Sequence, residues 1–248
     1  MTDSGKADGM AAEARLLAEG ADTNNDYIFE APNGDSEALF NGNLDLEILT
    51  QGLGTSFRLV EPGFDIKRFP AQVYMQNPIE AVLDLRQQHD LQADMVDHLT
   101  IQMRDRGHSG PLPLSGLDGK FSVEYCAAAA LLDGQVGIET FTDQRRFSTD
   151  MEETLRKISV EPGDPESSAV RATAQLKDGS TVDSECHAFR GSAANPMSRG
   201  ERMAKVFDCV QRVLSQQDTE RLLSLLENLE NVADISEVME ILGQLPRR

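Results

Sequence analysis

At 248 residues, with 40% hydrophobic but only 5% aromatic side chains, the chain can bury one large core or two modest ones built from Ala, Leu, Val and Ile. A formal charge of -19, with Asp and Glu scattered along the whole length, argues against nucleic acid as a partner, because phosphate binding draws on clustered Lys and Arg. No apolar run approaches the roughly 18 residues of a membrane span, and the polar stretch Met1 to Gly9 lacks signal-peptide order, so no membrane partner and a cytoplasmic location are expected.

The first predicted helix covers 9–19, with Met10, Ala14, Leu17 and Ala18 on one face and Gly20 as a left-handed stop. Two shorter helices follow, over 35–40 with Asp35 as cap, and over 44–53 closed by Gly52 and Gly54. Ser56 to Val60 alternates in the manner of a strand, and Glu61-Pro62-Gly63 reads as a turn at a domain boundary. Pro78 to Gln88 is an amphipathic helix with Ile79, Val82 and Leu85 inward. Met95 to Met103 alternates as a half-buried strand, with Leu99, Ile101 and Met103 opposed to His98, Thr100 and Gln102.

Arg104 to Gly119 holds four glycines and two prolines and is expected to be a loop long enough for a functional role. A helix from Ser122 to Leu132 is capped by Ser122 and ended at Gly134, and its Ala127 to Ala130 run offers a thin surface that another backbone can approach. Further elements are a helix over 150–157, a strand over 158–160, and two alternating strands around Lys177-Asp178-Gly179, a hairpin signal. Helices close the chain over 198–214, 218–229 and 235–242. Helices flanking a mixed block imply an α+β fold, with a strand and helix domain at 62–192 inserted between helical segments at 1–61 and 193–248 that pack on each other.

Cys126, Cys186 and Cys209 lie far apart and odd in number, so they are read as reduced. His89, His98, His108 and His187 show no metal-ligand spacing, and no bound metal is expected.

Two segments carry the chemistry. In Phe64-Asp65-Ile66-Lys67-Arg68-Phe69-Pro70-Ala71-Gln72, a lysine beside a Phe-Pro pair is held at a stiff point, because proline fixes its own backbone and restricts its predecessor. Lys67 and Arg68 together supply a point charge and a bidentate fork for carboxylates, although neighbours on an extended segment face opposite ways; the plain alternative is a surface basic pair. Gln72 can hydrogen-bond an oxygen but cannot exchange a proton near neutral pH. In Gly119-Lys120-Phe121-Ser122-Val123-Glu124-Tyr125-Cys126, Tyr125 is either a proton donor at a helix start or a core tyrosine with one hydrogen bond, and Lys120 is expected to face solvent.

These two segments resemble the lid half of the MmgE/PrpD family. Weaker likenesses run through Tyr27-Ile28-Phe29-Glu30 with Asn33-Gly34 and through Asn195-Pro196-Met197-Ser198, so the resemblance spans about Gly9 to Gly243. It implies lyase or epimerase chemistry on small polycarboxylates with no cofactor. It also implies Lys67 as the substrate-binding lysine, helped by Arg68, and Tyr125 as a residue facing the substrate. The chain departs from a family pattern at Gln72, where a histidine stands two positions past the proline. Lys6 does not occupy the lysine position of the family's Lys-x-x-His-x-Gly motif.

The family's preceding helical half contributes an aspartate, a threonine and histidines, all of which precede the part that this sequence resembles. The expectation is therefore a lyase subunit, dehydrating or decarboxylating a small polycarboxylate, with a separate polypeptide supplying the missing helical half. A homodimer or heteromer is implied by apolar faces at Met10 to Leu17 and Leu222 to Leu229. The alternatives are a dicarboxylate epimerase or isomerase, and a non-catalytic partner or remnant that stabilises or regulates a full-length relative.

Overall fold

The computed structural model describes residues 35–43, 45–104, 110 and 112–243. The helix expected over 9–19, its apolar face, Lys6 and the Tyr27 segment lie outside the described residues. The chain divides into two compact units, Met1–Phe57 and Arg58–Arg248.

In the first unit, α1 (Asp35–Phe40) turns through Asn41 and Gly42 towards α2 (Leu46–Thr50). Asp45 caps α2 by accepting the Glu47 N–H at 3.0 Å, which satisfies one of the free donors of a helix start.

The second unit is a mixed sheet packed on helices. Its elements are α3 (Gln76–Gln88), β1 (Val96–Met103), α4 (Val123–Asp133), α5 (Asp143–Arg146), α6 (Thr149–Leu155), β2 (Ile158–Pro162), β3 (Val170–Leu176) and β4 (Thr181–Cys186). The C-terminal helices α7 (Arg199–Val210), α8 (Gln216–Glu227) and α9 (Ser236–Gly243) belong to the same unit. The chain is thus α+β, as its pattern of alternation predicts.

Strand order is β2-β1-β3-β4, with β1 and β2 parallel and the other pairs antiparallel. Parallel pairing needs a crossover, which α4, α5 and α6 supply between β1 and β2. The β3–β4 hairpin turns at Asp178-Gly179, and the Asp178 carboxylate accepts from the Ser180 N–H at 2.9 Å, which holds the turn locally. One face of the sheet, with Leu99, Ile101, Ala172 and Ala174, is buried with α3 and α4 in a single core. Each large aliphatic side chain so buried contributes about 1.5–3 kcal/mol.

Helix α4 follows the predicted plan. Ser122 accepts the Tyr125 N–H at 3.1 Å as N-cap, and Gly134 closes the helix in the left-handed conformation at φ 65°. Its alanines are fully buried and let α3 and α6 pack closely against it. Arg86 of α3 caps its far end by donating to the Leu131 carbonyl and, at 3.1 Å, to the Leu132 carbonyl, a cation placed against the negative end of the helix dipole. Cys126 and Cys186 are buried thiols whose pKa is pushed up by burial, to about 12 for Cys186.

The stretch Ser56 to Val60 is not a strand. Residues 58–62 form turns, and Phe57, Leu59 and Val60 are exposed. Alternation there has no neighbouring strand to pair with among the described residues, and a lone strand leaves its backbone groups without partners. Lys120 is half-buried rather than solvent-facing, with its ammonium 5.7 Å from the Phe141 ring centre.

Candidate functional site

Helix α3 presents two kinds of residue to the interior. Ile79, Val82 and Leu85 enter the apolar core, while Gln76, Glu80 and Asp84 recur at every fourth position and so form a polar stripe along the helix. This stripe organises the Lys67 segment. The Phe69 N–H donates to Gln76 Oε1 at 3.0 Å, and Gln76 Nε2 donates back to the Phe69 carbonyl at 3.1 Å, so one buried amide satisfies both backbone groups of one residue.

Glu80 is only 2% exposed. Its Oε1 accepts Arg68 Nη1 at 2.7 Å and also accepts Arg190. Arg190 pairs in turn with Asp84 at 2.7 Å, and Glu201 of α7 stands 3.7 Å from Arg68 and 3.8 Å from Arg190. Burial pushes the Glu80 carboxyl above its ordinary pKa, against the opposing pull of the two guanidiniums. The Arg68 guanidinium also lies 5.2 Å from the Phe69 ring centre.

The other side of Lys67 is fastened by backbone. The Ile66 N–H donates to the Gly191 carbonyl at 2.6 Å, and Asp65 accepts the Ala193 N–H at 2.9 Å. Only glycine fits at position 191, because its φ is +112° and a Cβ there would stand 2.1 Å from the Ile66 carbonyl oxygen. Lys67 therefore sits between anchored neighbours. Its side chain is half-buried and makes no hydrogen bond or ion pair among the described residues.

Gln72 ends the segment. Its N–H donates to the Lys120 carbonyl at 3.0 Å, and its side-chain Oε1 accepts the Tyr74 N–H at 2.6 Å, capping the short 3-10 turn Val73–Met75. The side-chain oxygen that could meet a substrate is thus engaged with backbone.

Tyr125 is fully buried. Its hydroxyl donates to the Thr140 carbonyl at 2.5 Å, and its ring stands tilted to Phe141 with centroids 6.1 Å apart. Burial pushes the phenol up to about 12. The ring lies on Gly119, where a Cβ would come within 2.4 Å of Tyr125 Cδ1, so the glycine and tyrosine of this segment are sterically matched.

The two segments meet through backbone, yet the four candidate side chains have different tasks. Lys67 is unpaired among the described residues, Arg68 is bound to Glu80, Gln72 caps a turn, and Tyr125 bonds to Thr140. Glu80 and Arg190 were not singled out from sequence. The available signal was the fourfold spacing of polar residues on a helix whose remaining inward positions are apolar. The described part of the 104–119 loop is tied down by Arg146 donating to the Pro113 carbonyl at 2.8 Å and by the Gly116 N–H donating to Asp143 at 2.8 Å. Among the described residues, no group of three or more His, Cys, Asp or Glu could hold a metal ion, and no helix is long and apolar enough to cross a membrane.

Residues 69–231 match the MmgE/PrpD C-terminal domain. Similar curated proteins include the cis-aconitate decarboxylase of Mus musculus, 26% identical over 141 residues that cover 54% of this chain and 29% of that protein. The cis-aconitate decarboxylase of Homo sapiens is 24% identical over 200 residues, covering 76% of this chain and 42% of that protein. The chain spans less than half the length of either relative. With more than half of its residues inside the domain match, the chain belongs to the MmgE/PrpD family.

Proposed function

We propose that this chain forms part of a cofactor-independent lyase that grips a small polycarboxylate through Lys67. The observation that carries the reading is the state of Lys67: a cation free of partners among the described residues, between neighbours fixed by Gly191, Glu80 and Gln76. A lysine held in this way lowers the energy of a carboxylate, and of the negative charge that develops when a proton beside that carboxylate is removed. In a dehydration the electron pair left by that proton expels the neighbouring hydroxyl, which leaves as water with a proton from an acid. In a decarboxylase of the kind named by both relatives, carbon dioxide leaves instead and the electron pair it leaves on carbon takes up a proton, so Lys67 steadies negative charge in either case.

Arg68 is held on Glu80 beside Lys67, and Gln72 orients the segment by its cap. Tyr125 acts as hydrogen-bond donor or acid only after its bond to Thr140 breaks, since one hydroxyl has one proton to give. An epimerase would use the same proton abstraction without a leaving group.

Calorimetric titration of the full chain with tricarballylate, a saturated tricarboxylate, tests the reading. Binding should be saturable and about tenfold weaker or worse in Lys67→Ala. Equal affinity of the variant, or no binding by the wild type, would refute the role of Lys67. A non-catalytic role is favoured instead if Lys67-dependent binding is present but no turnover of cis-aconitate appears when a protein matching the rest of the relatives' length is supplied.

A further inference from the structure

We propose that Glu80 is the positioning residue for Lys67: one buried carboxylate oxygen, shared by Arg68 and Arg190, fixes the direction in which the lysine is presented. This rests on the reading of Lys67 as the carboxylate-gripping group. The two arginines are the chain neighbours of the two places where the segment could move. Arg68 follows Lys67, and Arg190 precedes Gly191, the residue that holds the Ile66 backbone. Pulling both onto Glu80 ties the segment and the Gly191 loop to α3. Glu201 of α7 adds a second carboxylate within 3.7 and 3.8 Å of the same pair.

Stability alone is a poor account of this arrangement. Burying charges costs several kcal/mol per ion, and a packed apolar replacement is often neutral or stabilising. Glu80 also keeps Oε2 buried with no hydrogen-bond partner among the described residues, a further cost. What the carboxylate supplies, and an apolar side chain could not, is a directional hold on two specific guanidiniums. Distance makes such a hold worthwhile, because a misplacement on the order of 1 Å can lower the effectiveness of a positioned group by about 10²-fold.

The test combines amide hydrogen exchange with tricarballylate titration on the full chain carrying Glu80→Gln, which keeps shape and removes the charge. Exchange at the Ile66 and Phe69 amides should become about tenfold faster while Ile101, in the centre of the sheet, is unchanged. Tricarballylate affinity should fall by about tenfold. Arg190→Gln, at a partly exposed position, should move both readouts in the same direction and serves if Glu80→Gln does not fold.

Unchanged exchange at Ile66 and Phe69, or equal acceleration at Ile101, would overturn the inference, because Glu80 would then be indifferent or a general support of the fold. Wild-type affinity retained in Glu80→Gln would overturn it as well. Absence of binding by the wild type sinks the Lys67 reading itself, and the exchange data then decide separately whether Glu80 holds the segment.

Discussion

The Gln72 N–H donates to the Lys120 carbonyl at 3.0 Å, so the segment that carries Lys67 and the segment that carries Tyr125 are joined by a backbone bond. Side-chain substitutions at either residue leave that bond intact. The link is therefore best probed through the residues that allow the two segments to approach their supports.

Gly191→Ala is expected to destabilise the protein by about 1–3 kcal/mol, the scale of a residue forced into a sparsely populated backbone region. The added Cβ would stand 2.1 Å from the Ile66 carbonyl oxygen, so the Ile66 anchor must lengthen or break. Urea unfolding gives the stability, and trypsin cleavage after Lys67 should become faster in the variant. Cleavage at the wild-type rate would show that Gly191 does not hold the segment.

Gly119→Ala should cost about 1–3 kcal/mol by overpacking, because its Cβ would meet the Tyr125 ring at 2.4 Å. Combining it with Tyr125→Leu should relieve part of that strain, giving a favourable coupling of about 0.5–3 kcal/mol in a double-mutant cycle. Strict additivity would mean that ring and glycine do not constrain each other.

Tyr125→Phe removes the donor to Thr140 and leaves a buried carbonyl unpaired, a loss of about 1–3 kcal/mol measurable by urea unfolding. The phenol has a sign that can be checked in alkali. Its folded pKa is raised from 10.0 to about 12, so the stability it contributes is complete below pH 10.0 and is lost as pH rises towards about 12. In wild type, part of the tyrosinate absorbance should therefore develop late, near pH 12 or with alkaline unfolding, and that part should be missing in Tyr125→Phe. Complete ionisation near pH 10 in the folded protein would rule out the burial of this phenol.

Ser198→Ala should lower stability by about 1 kcal/mol. Ser198 and Glu201 form a reciprocal capping box at the start of α7, and Glu201 is also the carboxylate nearest to Arg68 on that helix. Amide exchange in the first turn of α7 should accelerate, and exchange at Phe69 should follow by a smaller factor. A change confined to α7 would separate the cap from the Arg68 cluster.

Local signals were legible in the order of residues. Ser122 and Gly134 set the limits of α4, Asp178-Gly179 set the β3–β4 turn, and alternation in β1 showed which of its side chains enter the core, because caps, turns and periodicity act over a few residues. The backbone bond between Gln72 and Lys120 that joins the Lys67 and Tyr125 segments had no local signal. Ser56 to Val60 had the pattern of a strand without a strand to join, which no local pattern reveals.

The sequence by itself determined that this is an α+β chain of the MmgE/PrpD kind and that a lysine sits at a stiff point before Phe69-Pro70. Only the tertiary structure decided that Arg68 spends its charge on Glu80, that Arg190 arrives from more than a hundred residues away to share the same oxygen, and that the Tyr125 hydroxyl donates its hydrogen bond to the Thr140 carbonyl. The physical reason is that a charged or hydroxyl group bonds to whatever the folded chain places within about 3 Å. That neighbour is set by the packing of distant elements, on which the residues beside it in the sequence carry no information.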